Sequence, residues 1–248
     1  MKASFPSQLG NSPLVEALFE LRFEPTNLGL GDLLPGLLFA TMGTSYPNVS
    51  RLPLASIPRE IRDRNTDLLY QPSHQLGDAP NSIRVGDRVI LISSQQYPGW
   101  NRFKEMTQDL IKHVKETGTI DTVARFSLKY VNVLSTVAPE KQLPLLKMLI
   151  SVNGNPPDER GFRLRTELHE NNFITILEII TNATAKVIGP TGQAFGLLVT
   201  VDTLTTKIGK DFLDNPGDLL EQCHNAAKST FFNLLTPEGL SRLKPVES

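Results

Sequence analysis

Apolar and polar side chains alternate along several stretches of this chain, and that alternation constrains the fold more than any other feature. Val15, Ala17, Phe19, Leu21 and Phe23 are interleaved with Glu16, Leu18, Glu20 and Arg22. A period of two places one set on each face of a pleated strand, so this segment is predicted to be a strand with one apolar face. The same period recurs from Val123 through Phe126, Leu128 and Tyr130, in Gly161 to Leu168, in Phe173 to Thr181 and in Gly196 to Thr205. Gly86-Asp87 separates the apolar runs Ile83–Val85 and Val89–Ile92, and His169-Glu170-Asn171-Asn172 separates two alternating runs; both have the composition of hairpin turns. Strands with one apolar face joined by short turns make an antiparallel sheet covered on one side. Asp67 to His74 is also read as a strand, whereas Tyr46 to Asp67, rich in Pro and Arg, is read as irregular with a short strand inside.

Helical spacing appears between these runs. Asp32 precedes an apolar stretch, Leu33 to Met42, that predicts about three helical turns with Pro35 in the first of them, where a missing N–H costs nothing. Trp100, Phe103, Leu110 and Val114 predict a long amphipathic helix ending near Gly118, and Lys141 to Ile150 a short one. The last long helix is expected to start at Asn215-Pro216, with Asp218 in its first turn and an apolar stripe through Leu220, Cys223, Ala227, Phe231 and Leu235. Thr236-Pro237 then opens a final short helix. Residues 1–120 and 121–248 each read as strand, helix, strands, long helix. The prediction is an α+β fold: a curved, largely antiparallel sheet with two long helices on one face, built from a duplicated unit whose halves form one body.

Composition narrows the functional classes. Lys and Arg total 25 against 26 Asp and Glu, a net charge of −1, so no global field draws the chain to nucleic acid or to an anionic membrane. A single cysteine, Cys223, excludes an internal disulfide framework and a zinc site made of several thiolates. The start of the chain lacks a signal-peptide core, and no run approaches the roughly 20 apolar residues of a membrane helix, so a cytoplasmic location without membrane association is expected.

Signatures of catalysis are sparse. Gly189-Pro190-Thr191-Gly192 lacks the Gly-Lys-Ser/Thr ending of a phosphate-binding loop and precedes a strand, so it is read as a turn. His74, His113, His169 and His224 are dispersed, and neither a metal site nor a cofactor is expected. Asp158 with Glu167 and His169 is similar to the Pro-Asp…Glu-x-Lys arrangement of metal-dependent nucleases, with His in place of Lys; two converging carboxylates could hold Mg²⁺. Arg125 and Lys129 on one strand, and Arg163 and Arg165 on another, would form a phosphate-binding cluster if the strands are neighbours. Tyr130 and Trp100 are read as core residues with polar tips, and Asn132 as satisfying a nearby backbone group.

Asn11-Ser12-Pro13-Leu14-Val15-Glu16-Ala17-Leu18-Phe19-Glu20-Leu21-Arg22-Phe23 resembles the N-terminal signature of a sporadically distributed family of uncharacterised bacterial proteins. Tyr97-Pro98-Gly99-Trp100-Asn101-Arg102-Phe103 and Phe126-Ser127-Leu128-Lys129-Tyr130-Val131-Asn132 support that resemblance. It brings no catalytic residue. Its patchy occurrence resembles that of genes in mobile elements and defence loci, which implies an accessory or sensor subunit of an antiphage or toxin-linked system. The leading expectation is therefore a non-enzymatic interaction protein with a protein partner or self-association. A metal-dependent nuclease and a protein binding a nucleotide or nucleic-acid phosphate are the alternatives.

Overall fold

The computed structural model describes residues 5, 6, 8–27, 30–135, 138–188, 192–206, 208 and 211–246. Its elements in chain order are β1 (Gln8–Leu9), β2 (Leu14–Pro25), α1 (Leu30–Met42), β3 (Val49–Arg51), α2 (Arg59–Arg62), β4 (His74–Leu76), β5 (Asn81–Val85) and β6 (Val89–Ser94). There follow α3 (Trp100–Glu116), β7 (Ile120–Leu134), β8 (Arg163–Glu170), β9 (Phe173–Lys186), β10 (Gln193–Thr205), α4 (Gly217–Leu234), α5 (Pro237–Arg242) and β11 (Pro245–Val246). The strands β1 and β11 form a two-residue ribbon, and the others form one open sheet in the order β3-β4-β5-β6-β2-β7-β10-β9-β8. Outward from β2 the order is β6, β5, β4; outward from β7 it is β10, β9, β8. In both directions the first strand of a set lies innermost and is flanked by the last.

The chain divides into two compact units. One comprises Ala17–Leu128 and Leu204–Gln222. Its core follows from alternation: Ala17, Phe19, Leu21 and Phe23 of β2 are buried, and the register sets Phe19 opposite Ile92 and Leu21 opposite Ile90 of β6. Phe103, Thr107, Leu110, Ile111 and Val114 form the buried stripe of α3, recurring every three to four residues, about one helical turn. Phe126 lies between Phe19 and Phe212, with ring centroids 5.8 and 4.8 Å away.

The other unit comprises Met1–Glu16, Lys129–Thr203 and Cys223–Ser248. Phe173, Leu177 and Ile179 of β9, Leu197, Val199 and Val201 of β10, and Cys223, Ala227 and Phe231 of α4 are buried. Each Leu, Ile, Val or Phe among them contributes about 1.5–3 kcal/mol. Polar atoms in this core are matched: Cys223 Sγ donates to the Thr203 carbonyl at 3.2 Å, Asn132 Nδ2 to the Val199 carbonyl at 3.2 Å, and the Thr175 and Thr203 hydroxyls meet at 2.9 Å. Thr236 caps α5 by accepting from the Gly239 N–H at 3.2 Å, as its position before Pro237 predicts.

Three expected elements differ. Helix α1 begins at Leu30, so Pro35 lies inside it, where proline forfeits a hydrogen bond. Asp67 to His74 is a chain of turns: the Asn65 side chain accepts from the Asp67 N–H at 2.9 Å, its carbonyl accepts from Leu68 and Leu69, and only His74 reaches a strand. Asparagine closed a local turn before the alternating residues could join a ladder. Lys141 to Ile150 holds two 3-10 turns, Pro139–Lys141 and Leu143–Leu145, in place of an α-helix. Pro144 supplies no N–H there, and Lys147 donates instead to the Leu234 carbonyl at 2.7 Å. Gly189-Pro190-Thr191 lies outside the described residues. Among those described, no helix is long and apolar enough to cross a membrane.

Gly196 of β10 sits against the end of β7. A Cβ there would stand 2.3 Å from the Leu134 carbonyl oxygen, which is backbone and cannot rotate away. Gly196→Ala is expected to cost about 1–3 kcal/mol, lowering the melting temperature by several degrees; a thermal melt matching the parent chain would contradict this packing.

Candidate functional site

The β8–β9 hairpin is the longest regular piece of the sheet with an open side. Asn171, at φ 52°, lets a two-residue turn join Glu170 to Phe173, because asparagine tolerates the left-handed region. The register then runs without a bulge from Glu170↔Phe173 to Arg163↔Ile180. Thr181 donates its N–H to the Phe162 carbonyl at 3.1 Å, so the backbone of even-numbered residues in this strand faces β9. By the alternation of an antiparallel ladder, the N–H and C=O groups of Arg163, Arg165, Glu167 and His169 point the other way. β8 is the last strand of the sheet, so those groups line its outer edge.

The same four residues share one face. Arg163 lies 3.5 Å from Glu178 of β9, Arg165 3.6 Å from Glu167, and His169 3.8 Å from Glu167. Arg163, Arg165 and His169 are each more than half exposed, and exposed pairs at these distances are weak. Leu164, Thr166 and Leu168 occupy the opposite face, and Leu168 is exposed.

The carboxylate triad proposed from the sequence is not gathered. Asp158 caps the turn Glu159–Gly161 and grips Arg160, accepting from its backbone N–H at 2.9 Å and from its guanidinium at 2.7 and 3.0 Å. The Arg160 side chain holds the Asp158 carboxyl down at about 2. Glu167 and His169 lie further along β8, at about 3.3 Å per residue. Among the described residues no group of three His, Cys, Asp or Glu side chains is placed to hold a metal ion.

The basic cluster also fails its condition. Arg125 and Lys129 are on β7, and β10 and β9 stand between that strand and β8, which carries Arg163 and Arg165. Neighbouring strands lie about 4.8 Å apart, so three steps separate Lys129 from Arg163 and Arg165, in the same unit, by roughly 14 Å. Arg125 instead faces Glu20 at 3.7 Å. Of the two residues read as core, Tyr130 is buried and its hydroxyl meets His224 Nδ1 at 2.8 Å; Trp100 is only half-buried, at the start of α3, with its Nε1 donating to Glu221 at 2.8 Å.

Sequence reasoning missed a buried ion cluster in the irregular segment. Arg62 and Asp87, each 6% exposed, approach to 3.3 Å, and Arg62 donates to Asp32 at 3.3 Å. Burial pushes the Asp87 carboxyl up, against the pull of Arg62. Gly31 makes room for it: a Cβ there would fall 2.5 Å from Asp87 Oδ1. The cluster ties α1, α2 and the turn after β5 together, and no local pattern marks it, since its members are 55 residues apart at the extremes. A second exposed surface, Leu33, Leu37 and Phe39 of α1, is apolar and carries no charge pattern that would select a partner.

No protein-family model matches the chain, and no curated protein matches its sequence.

His74 adjoins the buried cluster, with its Nδ1 3.0 Å from the Ser73 hydroxyl. Burial chiefly lowers its pKa; Arg51 and Arg62 add to this, and Asp32 and Asp87 oppose it. A histidine whose pKa is lower folded than unfolded contributes stability above the unfolded value of 6.5, lost as pH falls through the folded value. His74→Gln is therefore expected to flatten the decline in melting temperature between about pH 7 and about pH 5. Equal slopes in the two proteins would count against it.

Proposed function

We propose that this chain is a non-enzymatic interaction protein that binds another polypeptide by extending its sheet at β8, and that it serves as an accessory or sensor subunit, in keeping with the antiphage or toxin-linked setting implied by the resemblance. The observation that carries this reading is the outer edge of β8: eight residues in unbroken register, without proline or bulge, whose outward backbone groups belong to Arg163, Arg165, Glu167 and His169. A regular exposed edge is a template for another strand, and proteins that do not use one normally blunt it with proline, bulges or charges; β8 has neither proline nor bulge, and its charges are of both signs, so a strand of complementary charge can still pair with it. Main-chain bonds supply the attraction and alternate side chains the selectivity.

A photo-activatable residue at Glu167, introduced in cells that express the full chain, is expected to form a covalent adduct with a protein. The same residue at Glu105, on the exposed side of α3, is expected to form far less. Absence of any protein adduct at position 167 would overturn the reading.

A further inference from the structure

We propose that the strand added at β8 is β8 of a second copy of this chain, joined antiparallel about a two-fold axis at Thr166; this inference rests on the interaction reading above. The charges select the partner. In a two-fold antiparallel pair every residue i faces a residue j with a constant sum, and same-face pairing requires that sum to be even. With the axis at Thr166, Arg165 faces Glu167 of the second copy and Glu167 faces its Arg165, while Arg163 faces His169. On the other face Leu164 meets Leu168, and Thr166 meets itself.

Shifting the axis one residue toward the start of the strand keeps two Arg–Glu pairs, Arg163 with Glu167, but sets Arg165 against Arg165 at the centre. One residue toward its end sets Glu167 against Glu167, and two toward its start sets Arg163 against Arg165 in both directions. Like charges directly opposite one another are unfavourable. The arrangement at Thr166 is thus the one near the middle of the strand that opposes Arg to Glu at its centre.

The backbone is compatible with this register, as with every even-sum register of the strand. The Thr181–Phe162 bond turns the odd-numbered groups outward, so Arg165 with Glu167 and Arg163 with His169 become the pairs that exchange both N–H···O bonds. Thr166 then forms a non-hydrogen-bonded pair, with Cα atoms about 4.5 Å apart. Glu178, opposite Arg165 on β9, continues the row, so each Arg165 lies between Glu178 and Glu167 of the other copy.

Analytical ultracentrifugation of the full chain at pH 8 and low salt, over a micromolar to millimolar range, is expected to show concentration-dependent formation of a species twice the 27.5 kDa of one chain. Arg165→Glu places Glu against Glu, and Glu167→Arg places Arg against Arg; each variant alone should raise the dimer dissociation constant about tenfold or more. Mixed one to one, they should recover the parent constant, because each Glu then faces an Arg. That recovery also reports that both variants are folded. Thr166→Cys should form a covalent dimer under mild oxidation, since the spacing suits a disulfide and native Cys223 is buried, whereas Leu164→Cys alone should not. A monomer throughout, a dimer insensitive to both charge variants, or equal crosslinking at 164 and 166 would overturn the proposal. A monomer whose position 167 still crosslinks a different protein would remove the second copy and leave the interaction reading intact; no adduct at all would remove both.

Discussion

An open antiparallel sheet satisfies the backbone of every interior strand with its neighbours, and leaves unpaired groups only along its two outer edges. The whole arrangement of this protein follows from where those edges fall. One is β3, three residues long, and a strand that short offers few sites for pairing. The other is β8, eight residues long and joined to β9 by a tight turn that keeps its register regular. The interior strands β2 and β7 have neighbours on both sides and carry their apolar residues into buried positions. The asymmetry is a difference in reactivity: one end of the sheet is close to inert, and the other presents a full ladder.

The buried ion cluster is the second constraint, and it acts on a different link of the chain. The connection from α1 to β4 has little apolar periodicity with which to hold itself. Arg62 bridges toward Asp87 and Asp32, which converts an irregular segment into a fixed one. Removing either member of a buried pair leaves an uncompensated charge, whose cost of several kcal/mol exceeds the gain from forming the pair. The cluster therefore specifies one arrangement of α1 and α2 more than it adds net stability.

How much of this was legible in the sequence depends on the range of the signal. The strands at Val15–Phe23, Ile83–Val85, Phe126–Tyr130 and Phe173–Thr181 were readable because period two is a local property that tertiary packing reinforces. The stripe through Cys223, Ala227 and Phe231 was readable for the same reason at helical period. Asp67 to His74 and Lys141 to Ile150 were misread because single residues, Asn65 and Pro144, overrode the composition of their neighbours. The Arg62–Asp87 pair was invisible, since nothing local links a residue in an arginine-rich stretch to an aspartate in a hairpin turn.

The site shows the same division. The types and spacing of Arg163, Arg165, Glu167 and His169 could be read directly, yet their meaning depended on strand order, which the sequence does not display. Had β8 lain beside β7, Arg163 and Arg165 would have joined Arg125 and Lys129 in a basic cluster suited to phosphate. At the edge, with three strand spacings between, the same arginines alternate with acids along one strand, and the relevant attraction runs along the edge instead of across the face. Magnitudes then assign the roles. A solvent-exposed ion pair contributes about 0.2–1 kcal/mol and a net backbone hydrogen bond about 1 kcal/mol. The outward N–H and C=O groups therefore outnumber and outweigh the charges as a source of affinity. The charges have a different effect: a slip of the axis by one residue in either direction sets two like charges opposite each other, so side chains too weak to hold two strands together still bias how they align.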